Sequence, residues 1–90
     1  MTEQELVTLR KKLEETTTFP SVYMYKFIVQ SDNRKIALIE NLFETDADIH
    51  MKESGNGKYT SITAKVVVVG VDEIIEVYKK VSEIEGVIFL

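Results

Sequence analysis

Two stretches of this chain are apolar on both faces of a strand, and no other feature constrains the fold as strongly. In Ser21–Gln30, Tyr23, Tyr25, Phe27 and Val29 fall on one face, and Val22, Met24, Lys26 and Ile28 on the other. In residues 58–69, Ile62, Ala64, Val66 and Val68 share one face, and Tyr59, Ser61, Thr63, Lys65, Val67 and Val69 the other. Strands of this kind belong in the middle of a sheet rather than at its edge. The run Val66–Val69 is apolar on both sides, so its end is expected to be well covered. Residues 46–53 differ: Ala47, Ile49 and Met51 alternate strictly with Asp46, Asp48, His50 and Lys52. That is the pattern of a half-exposed edge strand, whose outward charges block edge-to-edge pairing. A short apolar strand closes the chain at 87–90.

Between the strands the apolar period changes to that of a helix. Leu6, Leu9 and Leu13 give a narrow stripe over residues 3–15, and Thr2 stands three residues before Glu5, the spacing of a capping box. Three threonines and then Phe19-Pro20 end that helix and lead into an extended strand. The helix is expected to dock on its own domain, the alternative being a partner helix or a twofold mate. Ser31-Asp32-Asn33 supplies capping oxygens for a second helix near 32–43, with Ile36, Ile39, Leu42 and Phe43 inward. Gly70 breaks the third strand, and Asp72-Glu73 opens a third helix over 71–82, carrying Val71, Ile74, Ile75, Tyr78 and Val81. Ser54-Gly55-Asn56-Gly57 makes a hairpin turn in which both glycines are available for positive φ.

The order is one helix followed by β-α-β-β-α-β, which predicts an α+β ferredoxin-like sandwich. Four antiparallel strands lie in the order fourth, first, third, second, with the two later helices on one face. Ninety residues make one domain, divided into an N-terminal helical extension, 1–18, and the ferredoxin-like domain, 19–90.

Composition then removes most chemistries. With no cysteine there is no disulfide, thiolate zinc site, iron–sulfur cluster or cysteine nucleophile. A net charge of −4 disfavours general binding to a phosphate backbone. The opening Met-Thr-Glu-Gln-Glu has no apolar signal core, and no stretch has the length of a membrane span, so a cytoplasmic location is expected.

Each remaining cluster has a plainer structural reading. Gly55-x-Gly57-Lys58 joins two strands and lacks the spacing and the Ser/Thr of a phosphate loop. Asp46, Asp48 and His50 share one strand face, but successive members lie about 7 Å apart, too far for the outer pair to hold one ion. His50, the single histidine, has no nucleophile elbow near it. Tyr23, Tyr25 and Phe27 invite comparison with a base-stacking sheet, but they fall on the core face with Val29, leaving Tyr59 outside. No catalytic residue, metal ligand or cofactor site is assigned.

One surface stands out. If Phe27 and Val29 are core, the opposite side of the sheet collects Met24, Lys26, Ile28, His50, Lys52, Tyr59, Ser61, Thr63 and Lys65, with Val67 among them. It is a mixed apolar and basic face on an acidic protein, the usual look of an interaction surface, here for a second copy or an acidic protein partner.

Phe19-Pro20, Tyr25-Lys26-Phe27, the hairpin Ser54-Gly55-Asn56-Gly57-Lys58-Tyr59-Thr60-Ser61-Ile62-Thr63, and Glu76-Val77-Tyr78 before a closing apolar strand resemble the YbeD-like family of small bacterial domains of unknown function. The resemblance covers residues 19–90 and implies an ACT-like fold with a regulatory or ligand-sensing role. Amino-acid-binding ACT domains commonly carry a glycine between the first strand and the helix after it. Here that loop reads Ser31-Asp32-Asn33-Arg34. The reading that follows is a regulatory or protein-interaction domain without catalysis of its own. The alternative is a small-molecule sensor that binds a metabolite at a strand–helix cleft or a subunit interface.

Overall fold

The computed structural model describes residues 1–43 and 46–90. Its elements are α1 (Glu3–Thr16), β1 (Ser21–Gln30), α2 (Asn33–Glu40), β2 (Asp48–Glu53), β3 (Tyr59–Val68), α3 (Val71–Ser82) and β4 (Ile88–Phe89). The strands form one antiparallel sheet in the order β2-β3-β1-β4. This is the split β-α-β-β-α-β arrangement expected from the order of elements, with the two strands expected in the middle of the sheet, β1 and β3, at its centre.

The core lies between one face of the sheet and the helices. Tyr25, Phe27 and Val29 of β1 and Ile62, Ala64 and Val68 of β3 are buried against Ile39 of α2 and Ile74, Ile75, Tyr78 and Val81 of α3. Its centre is aromatic. Phe27 stands edge-on to Phe89 at 5.7 Å and to Tyr78 at 6.1 Å between ring centres, and Tyr25 lies 5.5 Å from Tyr78. The Tyr23 and Tyr78 hydroxyls bond to each other at 2.9 Å, so Tyr78 is buried with its polar end satisfied. Thr60, a buried polar residue, meets the Ser31 hydroxyl at 2.8 Å.

The local signals account for the helix ends. Thr2 Oγ1 accepts from the Glu5 amide at 3.1 Å, and the Glu5 carboxylate accepts from the Thr2 amide at 2.9 Å. That Thr2 amide holds the Glu5 carboxyl below the usual carboxylate range. Asp32 caps α2 by accepting from the amides of Arg34 and Lys35. Helix α1 runs antiparallel along α3: the Met1 amino group donates to Ser82 Oγ at 2.8 Å, and Arg10 pairs with Asp72 at 2.6 Å. Leu6 and Leu13 are buried by this docking.

Several boundaries differ from the sequence reading. Helix α2 ends at Glu40 rather than near 43, because the Leu42 and Phe43 amides reach back only three residues, to Ile39 and Glu40. Strand β2 begins at Asp48, with Asp46 and Ala47 in a turn and a bend. Strand β4 pairs only through Ile88 and Phe89. Met51 faces the helix side yet remains 46% exposed, since it sits on the sheet edge. The end of β3 is not covered on both sides: Val67 is 61% and Val69 70% exposed. The helices occupy one face of the sheet, and α1 packs on α3 instead of on the other face.

At the hairpin, Gly57 has φ +72° and Gly55 does not enter the left-handed region. Asn56 Oδ1 accepts from the Lys58 amide at 3.0 Å and from Ser54 Oγ at 2.8 Å, which closes the turn without a second positive φ. A Cβ on Gly57 would meet nothing closer than 3.8 Å, so the cost of Gly57→Ala is conformational, about 1–2 kcal/mol. Urea unfolding of Gly57→Ala beside Gly55→Ala checks this; the second variant is expected near wild type.

Candidate interaction face

Strand register decides which side chains meet on the sheet face away from the helices. Between β1 and β3, Val22 lies opposite Val67, Met24 opposite Lys65, Lys26 opposite Thr63 and Ile28 opposite Ser61. Between β2 and β3, Asp48 lies opposite Lys65, His50 opposite Thr63 and Lys52 opposite Ser61. Ile88 lies opposite Ile28 on the far side of β1. The Leu90 amide continues that register by donating to the Lys26 carbonyl at 3.0 Å.

Met24, Lys26, Ile28, His50, Lys52, Tyr59, Ser61, Thr63 and Lys65 therefore share one surface. Its rows run Asp48–Lys65–Met24, His50–Thr63–Lys26 and Lys52–Ser61–Ile28–Ile88, with Val67–Val22 at one end and Tyr59–Gln30 at the other. No two of its lysines are directly opposed. Lys65 has an acid on one side, and Lys26 and Lys52 face hydroxyl residues, so the basic character costs the sheet little. Val22 is 66%, Met24 53%, Ile88 52% and Leu90 63% exposed. Val22, which alternation along β1 already places here, and Ile88 and Leu90 of the closing segment enlarge the apolar part of this face. The β1–β3 pairing sets Val22 beside Val67.

The other clusters separate. Asp46, Asp48 and His50 do not share a strand face, because Asp46 precedes β2 in a turn. His50 Nε2 and Asp48 Oδ1 lie 3.0 Å apart with both side chains mostly exposed. Among the described residues no group of three His, Cys, Asp or Glu side chains is placed to hold a metal ion. Tyr25 and Phe27 are core, Tyr23 is half-buried beside them, and Tyr59 is 44% exposed on the open face. No helix of the described residues is long and apolar enough to cross a membrane.

A second feature lies on the helix side. A cavity of about 370 Å³ opens between α3 and β3, with Tyr25, Phe43, Val66 and Val77 on its walls and Asp46, Glu73, Glu76 and Lys80 around its rim. Glu73 is held there by accepting from the Val69 amide at 3.1 Å. Burial pushes the Tyr25 phenol above its usual range, with the nearby Tyr23 and Glu73 adding to the effect.

Comparison with known proteins places the chain in one group. Residues 14–90 match the model of a family described as a protein of unknown function, DUF493. Proteins named UPF0250 from Shewanella piezotolerans, Shewanella halifaxensis and Shewanella oneidensis are each 29% identical over 83 residues, covering 88% of this chain and 94% of theirs. No solved structure matches.

Proposed function

The chain belongs to the DUF493 family of proteins of unknown function, and we propose that it is a non-catalytic interaction domain whose open sheet face receives an acidic protein segment with apolar side chains. One observation carries this reading: Lys26, Lys52 and Lys65 stand among exposed Val22, Met24, Val67 and Ile88 on a face that no helix of the described residues covers. An exposed apolar patch rimmed by polar groups marks a docking surface. The protein carries a net charge of −4, so a basic face on it is matched by carboxylates on the partner and attracts them by charge. In the variant Lys26→Glu/Lys65→Glu, partner capture is expected to fall at least tenfold while the circular dichroism spectrum stays native. Undiminished capture by the folded double variant refutes the reading.

The cavity beside α3 supports a second reading, a metabolite-sensing domain. Its volume of about 370 Å³ lies in the range of small-molecule sites. A thermal-shift screen separates the two readings. A compound bound at a hundredfold excess over its Kd stabilises the native state by about 2.7 kcal/mol, whereas a protein-docking face gives no response to metabolites.

A further inference from the structure

The cavity between α3 and β3 joins an unpartnered buried hydroxyl to an uneven rim of charge. It lies where β1 begins and β3 ends, with Ser21 opposite Val68, at the far end of the sheet from the Ser31-Asp32-Asn33-Arg34 loop. Helix α2 stops at Glu40, and the tighter turn through Leu42 and Phe43 leaves Val66 and Val77 half-buried at the opening. Tyr25 and Phe43, with ring centres 5.2 Å apart and planes inclined at 55°, form an aromatic corner in the wall. Tyr25 is 1% exposed, and a phenol so deep normally finds a hydrogen-bond partner. The Tyr23 and Tyr78 hydroxyls bond to each other, and among the described residues no group bonds to the Tyr25 hydroxyl. Among those residues no side-chain oxygen or nitrogen is both sealed off and unpaired. The Tyr25 hydroxyl therefore opens into the cavity that its ring lines.

The rim is acidic. Asp46, Glu73 and Glu76 surround the opening with a single base, Lys80. Lys80 Nζ lies 4.0 Å from Glu76 Oε1, one turn away on the same helix, and offsets that carboxylate. Among the described residues no cation pairs with Asp46 or Glu73. Glu73 is fixed by the bond from the Val69 amide and lies near enough to Tyr25 to help raise its phenol pKa. We propose that this cavity binds a small primary amine, whose ammonium group donates to the Tyr25 hydroxyl and the Glu73 carboxylate while a short apolar or aromatic tail packs on Phe43, Val66 and Val77. A protonated amine has donors and no acceptor, which suits a phenol oxygen and a carboxylate with lone pairs to offer, and it is attracted to the aromatic corner as well. A neutral molecule of the same shape forfeits the charge pairing. A carboxylate on the same tail, as in an amino acid, meets Asp46 and Glu73 as a like charge. The volume of about 370 Å³ is at the small end of ligand sites, so the occupant is compact. This assignment names the ligand class for the sensing reading given above and rests on it; the basic face across the sheet takes no part.

Phenethylamine, phenethyl alcohol and phenylalanine share one ring and differ in their charged groups, so calorimetric titration of each into the full chain is the test. The amine is expected to bind about tenfold tighter than the alcohol, by virtue of its charge-assisted hydrogen bonds, and tighter than phenylalanine. Methyl NMR shifts induced by the amine are expected at Val66 and Val77. Glu73→Gln keeps an acceptor for the Val69 amide and removes the charge; it is expected to lower amine affinity about tenfold and to leave alcohol affinity unchanged. Tyr25→Phe, which loses only the hydroxyl, is expected to weaken the amine more than the alcohol. If the alcohol binds as tightly as the amine, the amine assignment falls and the sensing reading stands. If none of the three binds at about 10 mM, both fall. Phenylalanine bound as tightly as the amine, amine affinity that survives Glu73→Gln, or shifts confined to other residues each overturn the assignment.

Discussion

Raising the pH beyond about 10 should unfold this domain, led by two tyrosines. Tyr25 and Tyr78 are buried in the core. Burial, ahead of any other cause, pushes both phenols well above their usual range, and the hydrogen bond with Tyr23 adds to the effect at Tyr78. The unfolded chain releases these protons near pH 10 while the native state keeps them, so in that range the native state binds more protons. The stability they contribute is complete below about pH 10 and is lost as the pH climbs toward the native values, at about 1.4 kcal/mol per pH unit for each phenol. Two phenols over two units remove about 5 kcal/mol, and a small domain has about 5–15 kcal/mol in all. Titration followed by tyrosinate absorbance and circular dichroism should show both phenols ionising in the step that melts the sheet. Tyr25→Phe should move that step to higher pH. Ionisation of both phenols with the sheet intact would refute the account.

Phe27→Ala should cost about 3–5 kcal/mol, the range for deleting a buried aromatic ring. Phe27 is fully buried where β1, α3 and β4 meet, with Tyr78 and Phe89 edge-on to its ring. Strand β4 has only two paired residues, and one of those pairs is Phe27 with Phe89. Removing the ring therefore also loosens β4. Val22→Ala, one strand face away and 66% exposed, should stay within about 0.5 kcal/mol of wild type. Urea unfolding of both variants measures the contrast. Similar losses in the two would mean that the open face is as covered as the core.

Alternation along β1 and β3 was enough to read the sheet order, the buried set Tyr25, Phe27, Val29, Ile62 and Ala64, and the open set around Lys26 and Lys65. It could not say whether an apolar face is covered. Val67 and Val69 have the same alternating neighbours as Val66 and Val68, and only the placement of all three helices on one side leaves them bare. Residue type also failed to locate the end of α2. Leu42 and Phe43 keep helical spacing and contact the core, but they do so from a tighter turn. The face itself was legible because parity sorts side chains within a strand. Its rows were not, because pairing Val22 with Val67, or Ile28 with Ile88, depends on register, which no single strand encodes. The β2 edge was legible only as a defence against pairing.

The position of β1 has a consequence during synthesis. Its ten residues leave the ribosome before either neighbour exists, since β3 begins at Tyr59 and β4 at Ile88. Until β3 emerges, the nascent chain carries a strand rich in tyrosine, phenylalanine and valine with no edge paired, the kind of segment that self-associates. Helix α1 gives no shelter in that interval, because the surface it docks on belongs to α3, which is made later still. The central strand thus has no paired edge until Tyr59–Val68 has been made, and its second edge waits for Ile88–Phe89.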